Sequence, residues 1–296
     1  MRILLQRLSQ ALHCFPAFLR SETDKLSLQQ QEKIEEYRLR VGHPPSILLD
    51  GKELLLNCRT VTGIMLEEIL LQATGQAVYS AKEMLKNGYL TLAGGHRLGI
   101  CGTAVYKEEE ITFLKEVSSL NLRIASDRPG FAAAAANYLW LHPDSALIIG
   151  QPGAGKTTFL RDLIRLLSQR FHHRISICDE RMELAACKNG IPQFDIGPCS
   201  DVISGARKDQ GIEMLLRTMN PQWIAVDEIT AERDIDAMVK ASYCGVRLLA
   251  TAHASGISEL STRPLYHQLI QTGIFRTVVV IPKTREVQIR EMITND

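Results

Sequence analysis

The chain has 296 residues, 45% hydrophobic and 23% charged, which supplies enough apolar surface for packed cores and excludes an intrinsically disordered protein. A net charge of +1 excludes a global field that would draw it to nucleic acid or an anionic bilayer, so either partner would need a local patch. Seven scattered cysteines (Cys14, Cys58, Cys101, Cys178, Cys187, Cys199 and Cys244) form no CxxC pair, which argues for buried thiols in a reducing compartment and against structural zinc.

The length favours two domains. At the N-terminus Ile3, Leu4, Leu8, Ala11 and Leu12 fit one face of a packing helix, while Gln6, Arg7 and Gln10 interrupt any signal-peptide core. Extended apolar segments then flank turn signals at Pro44-Pro45 and Asp50-Gly51. Leu66, Ile69, Leu70 and Ala73 repeat at helical spacing, and the stretch from Tyr89 to Tyr106 alternates around Gly94, Gly95, Gly99 and Gly102 as hairpin strands do. Asp127-Arg128-Pro129-Gly130 marks a turn and places the domain boundary, giving a smaller α+β domain over 1–126. From 127 to 296 short apolar runs alternate with helical stretches, which predicts an α/β domain with a largely parallel sheet covered on both faces. The most apolar stretch, Phe131 to Leu141, is too short to span a bilayer, so a soluble cytoplasmic protein is expected.

Residues 150–157 read GQPGAGKT, a full match to the phosphate-loop pattern G-x-x-x-x-G-K-[ST]. At average residue frequencies such a string arises by accident in about one chain of this size in a hundred. The apolar run Ala146 to Ile149 before it, and the helical face of Phe159, Leu160, Leu163, Ile164, Leu166 and Leu167 after it, supply the strand–loop–helix context that the motif requires. Gly150, Gly153 and Gly155 let backbone N–H groups turn inward around phosphate oxygens, and Gln151, Pro152, Ala154 and Thr158 complete the expected nucleotide-binding segment. Lys156 is expected at the β and γ phosphates of ATP and the Thr157 hydroxyl at Mg2+.

Trp223-Ile224-Ala225-Val226 is a buried-strand run that ends in Asp227-Glu228. Asp227 is positioned to hold the magnesium shell and Glu228 to orient the attacking water; the alternative is a pair of acids capping the next helix. Ile175 to Cys178 leads into Asp179-Glu180-Arg181, and Leu248 to Thr251 leads into Ala252-His253. Ligands of parallel α/β sheets sit beyond the carboxyl ends of the strands, so Glu180 and His253 are candidates for the same crevice. Their bland reading is a surface ion pair for Glu180 with Arg181 and a hydrogen-bonded histidine at 253.

The order phosphate loop, DERMEL, WIAVDE and ATAHA resembles the Walker A, Asp box, Walker B and His box succession of type II and type IV secretion ATPases. The strings EEYRLRVGHPP, GGHRLGICG, SSLNLRIA, GQPGAGKTTFLRDLIR, GIPQFDIG and LLRTMNPQWIAVDEI resemble the stage III sporulation protein AA family over almost the full chain. The resemblance implies a RecA-like P-loop NTPase core and a peripheral, ring-forming ATPase, typically hexameric. It would act beneath membrane proteins of the channel complex that links mother cell and forespore, at the mother-cell face. It also implies that Lys156 and Thr157 bind nucleotide and metal, that Glu180 stands in the Asp box, that Asp227 and Glu228 form the Walker B pair, and that His253 is the His-box residue. Arg97 and Arg123 of the N-terminal domain and Arg217 of the core are the arginine candidates. Secretion relatives carry an arginine two residues after the Walker B glutamate; here that place is Thr230 and the nearest arginine is Arg233.

Three other functions compete with a hydrolysing motor. An ATP-binding platform without turnover could dispense with Glu228, and a small-molecule kinase would need a lid insertion that is not evident between Arg181 and Trp223. A RecA-like nucleic-acid translocase finds no support in the charge.

Overall fold

The computed structural model describes residues 2–75, 88–107, 109–282, 284 and 286–292, with side chains from residue 7 onward. The side chains of Ile3 and Leu4 therefore lie outside the described residues. The backbone divides into two compact units, Met1–Ala125 and Ser126–Asp296.

The first unit opens with helices α1 (Arg2–Ala11), α2 (Ala17–Asp24) and α3 (Leu28–Glu32). Its six-stranded sheet has the order β3-β2-β1-β6-β5-β4, from β1 (Ile34–Arg40), β2 (Ser46–Leu49), β3 (Lys52–Leu55), β4 (Tyr89–Thr91), β5 (Arg97–Lys107) and β6 (Glu110–Arg123). Asp50 (φ +48°) and Gly51 (φ +75°) turn β2 into β3, the backbone that a two-residue hairpin loop demands and that Asp-Gly supplies. Helix α4 (Gly63–Ala73) starts at Thr62, whose hydroxyl accepts the Met65 N–H at 3.3 Å. Tyr37 faces Ile47 on one side and Leu122 on the other across the sheet. These residues, with Leu8, Ala11, Leu12, Leu66 and Ile69, form the core.

His96 is fully buried in this unit and its Nδ1 accepts the Ala125 N–H at 3.0 Å, so the ring is held neutral. Burial, helped by the charge of Arg7, pushes its pKa down from 6.5 to about 4. A base with a depressed folded-state pKa contributes stability above its unfolded value and loses it as pH falls towards the folded one. The first unit is thus expected to lose up to about 3 kcal/mol between roughly pH 6.5 and pH 4. Amide exchange of β5 and β6 measures this, and His96→Gln should flatten the dependence.

The second unit carries a seven-stranded sheet of order β13-β12-β7-β11-β10-β8-β9. Its strands are β7 (Ala146–Gly150), β8 (Ile175–Asp179), β9 (Ser200–Ser204), β10 (Trp223–Val226), β11 (Arg247–His253), β12 (Thr277–Ile281) and β13 (Gln288–Glu291). Among the described residues its strand pairs are parallel except β12 with β13. The helices are α5 (Ala133–Leu141), α6 (Lys156–Phe171), α7 (Lys208–Thr218), α8 (Glu232–Tyr243), α9 (Ile257–Thr262) and α10 (Pro264–Gln271). Alternate residues of each strand serve opposite faces. Ala146, Ile148, Trp223 and Ala225 join one core with Phe159, Leu160 and Leu163 of α6, while Leu147, Ile149, Ile224 and Val226 join another with Ile235 and Met238 of α8. This double burial is why the strands read as continuous apolar runs, each fully buried large side chain contributing about 1.5–3 kcal/mol.

Candidate functional site

The chain leaves β7 for β8, which lies three places away in the sheet, with β11 and β10 between. Loops at the carboxyl ends of β7, β11, β10 and β8 therefore gather at one edge, where parallel α/β sheets bind ligands. The three loop glycines serve different needs. A side chain at Gly150 would place its Cβ 2.8 Å from the Ile281 carbonyl oxygen, whereas Gly153 and Gly155 take left-handed backbone at φ +75° and +94°. Gly155 is the N-cap of α6, so no side-chain oxygen satisfies the first N–H groups of the helix, and that end is open to an anion. Gln151 accepts the Ala154 N–H at 3.1 Å through its carbonyl, Pro152 and Gly153 are exposed, and Thr158 lies in the first turn of α6.

Lys156 is buried, and its Nζ donates to the carbonyls of Gly150 (2.9 Å) and Gln151 (3.1 Å) and meets His253 Nδ1 at 2.9 Å. Burial lowers its pKa; the nearby carboxylates of Asp227 and Glu228 oppose that shift. The Thr157 hydroxyl donates to Asp227 Oδ2 at 2.7 Å. Asp227 Oδ1 accepts the Thr251 hydroxyl at 2.6 Å, and Thr251 Oγ1 in turn accepts the Glu228 N–H at 2.7 Å. Glu228 holds a left-handed backbone at φ +55°; its Oε1 lies 3.1 Å from His253 Nε2 and its Oε2 is paired with Arg181. Lys156, Thr157, Asp227, Glu228 and His253 thus form one connected cluster.

The oxygens of Thr157 and Asp227 suit a magnesium ion that takes its remaining ligands from phosphate and water. Among the described residues no group of three or more His, Cys, Asp or Glu side chains is placed to hold a metal by itself.

Thr251 was not legible as a functional residue. It is fully buried on β11 and ties the Asp227 carboxylate to the Glu228 backbone. Thr251→Val keeps the shape and removes both bonds, so it is expected to cost about 1–3 kcal/mol, read from urea unfolding followed by tryptophan fluorescence. A midpoint unchanged from wild type would contradict that role.

Glu180 follows β8 at the carboxyl edge of the sheet, where its carboxylate is paired with the buried Lys208 in the first turn of α7 rather than with Arg181. One expectation needs correction. Arg217 sits in the last turn of α7, which leads into the start of β10, so it lies at the sheet edge opposite the phosphate loop. There it is 78% exposed, with Glu213 at 3.7 Å. It cannot join the cluster of its own chain. Arg97 and Arg123 belong to the first unit and face each other across β5 and β6; Arg97 lies over the Tyr89 ring and Arg123 is 3.7 Å from Glu36. Thr230 donates its N–H to Asp234, and Arg233 is exposed in the first turn of α8.

The model of the sporulation stage III, protein AA family matches residues 7–294. The chain belongs to this family. It is 34% identical over 276 residues to stage III sporulation protein AA of Bacillus subtilis strain 168, covering 90% of this chain and 89% of that one. Among solved structures, it superposes on the Legionella pneumophila ATPase DotB with a TM-score of 0.59 at 16% identity, over 90% of this chain and 76% of that one. The pilus retraction motor PilT with bound ADP gives a TM-score of 0.61 at 16% identity, over 88% of this chain and 76% of that one. The fold is that of the RecA-like P-loop ATPases.

Proposed function

We propose that this chain binds Mg-ATP at Gly150 to Thr158 and hydrolyses it. Turnover would drive or assemble a membrane-associated, secretion- or channel-like complex between mother cell and forespore. The observation that carries the reading is the linkage of Lys156 to Glu228 through His253, which sets the water-orienting acid within one imidazole of the phosphate-binding lysine. In this reading the backbone N–H groups of the loop and Lys156 bind the phosphates, and Glu228 orients and polarises the attacking water. His253 senses the γ-phosphate by exchanging its contact with Lys156. Magnesium, held by Thr157 and Asp227, would supply charge neutralisation on the phosphate oxygens.

Family membership supports the sporulation role, and likeness to DotB and PilT supports a motor fold. We infer a hexameric ring in which Arg97, Arg123 or Arg217 completes the site, Arg217 only from a neighbouring copy. No helix among the described residues is long and apolar enough to cross a membrane, so attachment would be peripheral, through membrane proteins at the mother-cell face. The test is phosphate release from Mg-ATP: release that EDTA abolishes and Glu228→Gln slows by about 100-fold or more supports the reading. Tight ATP binding without turnover in any assembly state would replace it with an ATP-binding platform.

A further inference from the structure

Glu228 is held from two sides by groups of different fate. One hold is His253, whose Nε2 lies 3.1 Å from Oε1 and whose Nδ1 is engaged by Lys156 at 2.9 Å. Lys156 has three hydrogens, and Gly150 O, Gln151 O and His253 match all three. Phosphate can draw the lysine in only by loosening one of these contacts, and in the sensing role proposed above the contact given up is the one to His253.

The second hold, Arg181 on Oε2, comes from the end of β8, on a different strand from His253 and outside the three contacts of Lys156. Its loop is built for fixed direction. The buried Asp179 carboxylate accepts the N–H groups of Glu183 (2.8 Å), Leu184 (3.0 Å), Ala185 (2.9 Å) and Ala186 (3.2 Å). Arg161 of α6 donates to the carbonyls of Leu184 (2.7 Å) and Glu183 (2.6 Å). Met182 and Ala186 accept left-handed backbone, φ +52° and +48°, to satisfy this arrangement. Neighbouring side chains then diverge, Glu180 to Lys208 and Arg181 to Glu228. Arg181 is 53% exposed, so the pair adds little to stability, and its effect lies in where it keeps the carboxylate.

The geometry points to Arg181 as a positioning residue for Glu228, one that keeps the carboxylate aligned on its water when nucleotide binding takes Lys156 away from His253. This rests on the reading of Glu228 given above. An ångström of misplacement at a reacting group costs on the order of 100-fold in rate, and a carboxylate left with one hold is expected to lose roughly 10- to 100-fold.

The experiment measures steady-state phosphate release and equilibrium Mg-ATP binding for wild type, Arg181→Ala, Arg181→Lys, Glu228→Gln and the Arg181→Ala/Glu228→Gln pair, with thermal melts as the folding control. Arg181→Ala should lower kcat roughly 10- to 100-fold with Mg-ATP affinity within about threefold of wild type. Arg181→Lys should recover part of the rate, and Arg181→Ala should cost nothing further once Glu228 is glutamine. A kcat for Arg181→Ala at or above wild type, or the same proportional loss in the Glu228→Gln background, would overturn the proposal while leaving the ATPase reading intact. A wild type that binds Mg-ATP and never releases phosphate would overturn both.

Discussion

Glu228→Gln should bind Mg-ATP as the wild type does and turn it over about 100- to 10,000-fold more slowly, the range that a positioned general acid or base contributes. Glutamine keeps the length and one acceptor oxygen, and the backbone anchor from Glu228 N to Thr251 is untouched, so the fold and the phosphate loop are preserved. What is lost is the negative charge, with its ability to polarise water and to pair with Arg181 and His253. Single-turnover measurement separates this from a binding defect. If the variant hydrolysed ATP at the parent rate, the water-orienting role would belong elsewhere.

Lys156→Ala should weaken Mg-ATP binding roughly 10- to 100-fold, because a hydrogen bond to a charged group is worth about 1.5–3 kcal/mol. Turnover should fall below detection. The substitution also removes a buried cation between two carbonyls and His253, whose acceptor atoms are then left to water. Isothermal titration with Mg-ATP tests the affinity. Unchanged affinity would show that the loop N–H groups alone hold the phosphates.

Both variants act on residues that the chain announces in local strings. GQPGAGKT and WIAVDE are legible because a glycine loop between an apolar strand and a helix, or an acid pair ending an apolar strand, carries its geometry with it. Arg181 and Thr251 are not announced in that way. Thr251 is 24 residues from Asp227 and Arg181 is 47 from Glu228, and each pair meets only because β10 lies between β11 and β8. Parallel strand order is set by the crossovers, which residue spacing does not reveal. Strand-end position places Glu180 and His253 at the carboxyl edge of the sheet. Which side chain at that edge turns inward is not legible, since the divergence of Glu180 and Arg181 depends on the Asp179 amide cage and on left-handed backbone at Met182 and Ala186, which no glycine marks. Arg217 stands in a string, LLRTMNP, whose helix runs away from the site. A helix that feeds a parallel strand must end at the strand's amino edge, and that rule would have excluded it from its own chain's cluster.

The hydrolysing-ring account is tested most directly by phosphate release from Mg-ATP over a range of protein concentrations, with mass followed by light scattering, for wild type and Glu228→Gln. A Glu228-dependent rate that rises more than linearly as a ring forms is expected. ATP bound tightly at every concentration, with no phosphate released by either protein in any assembly state, would contradict it.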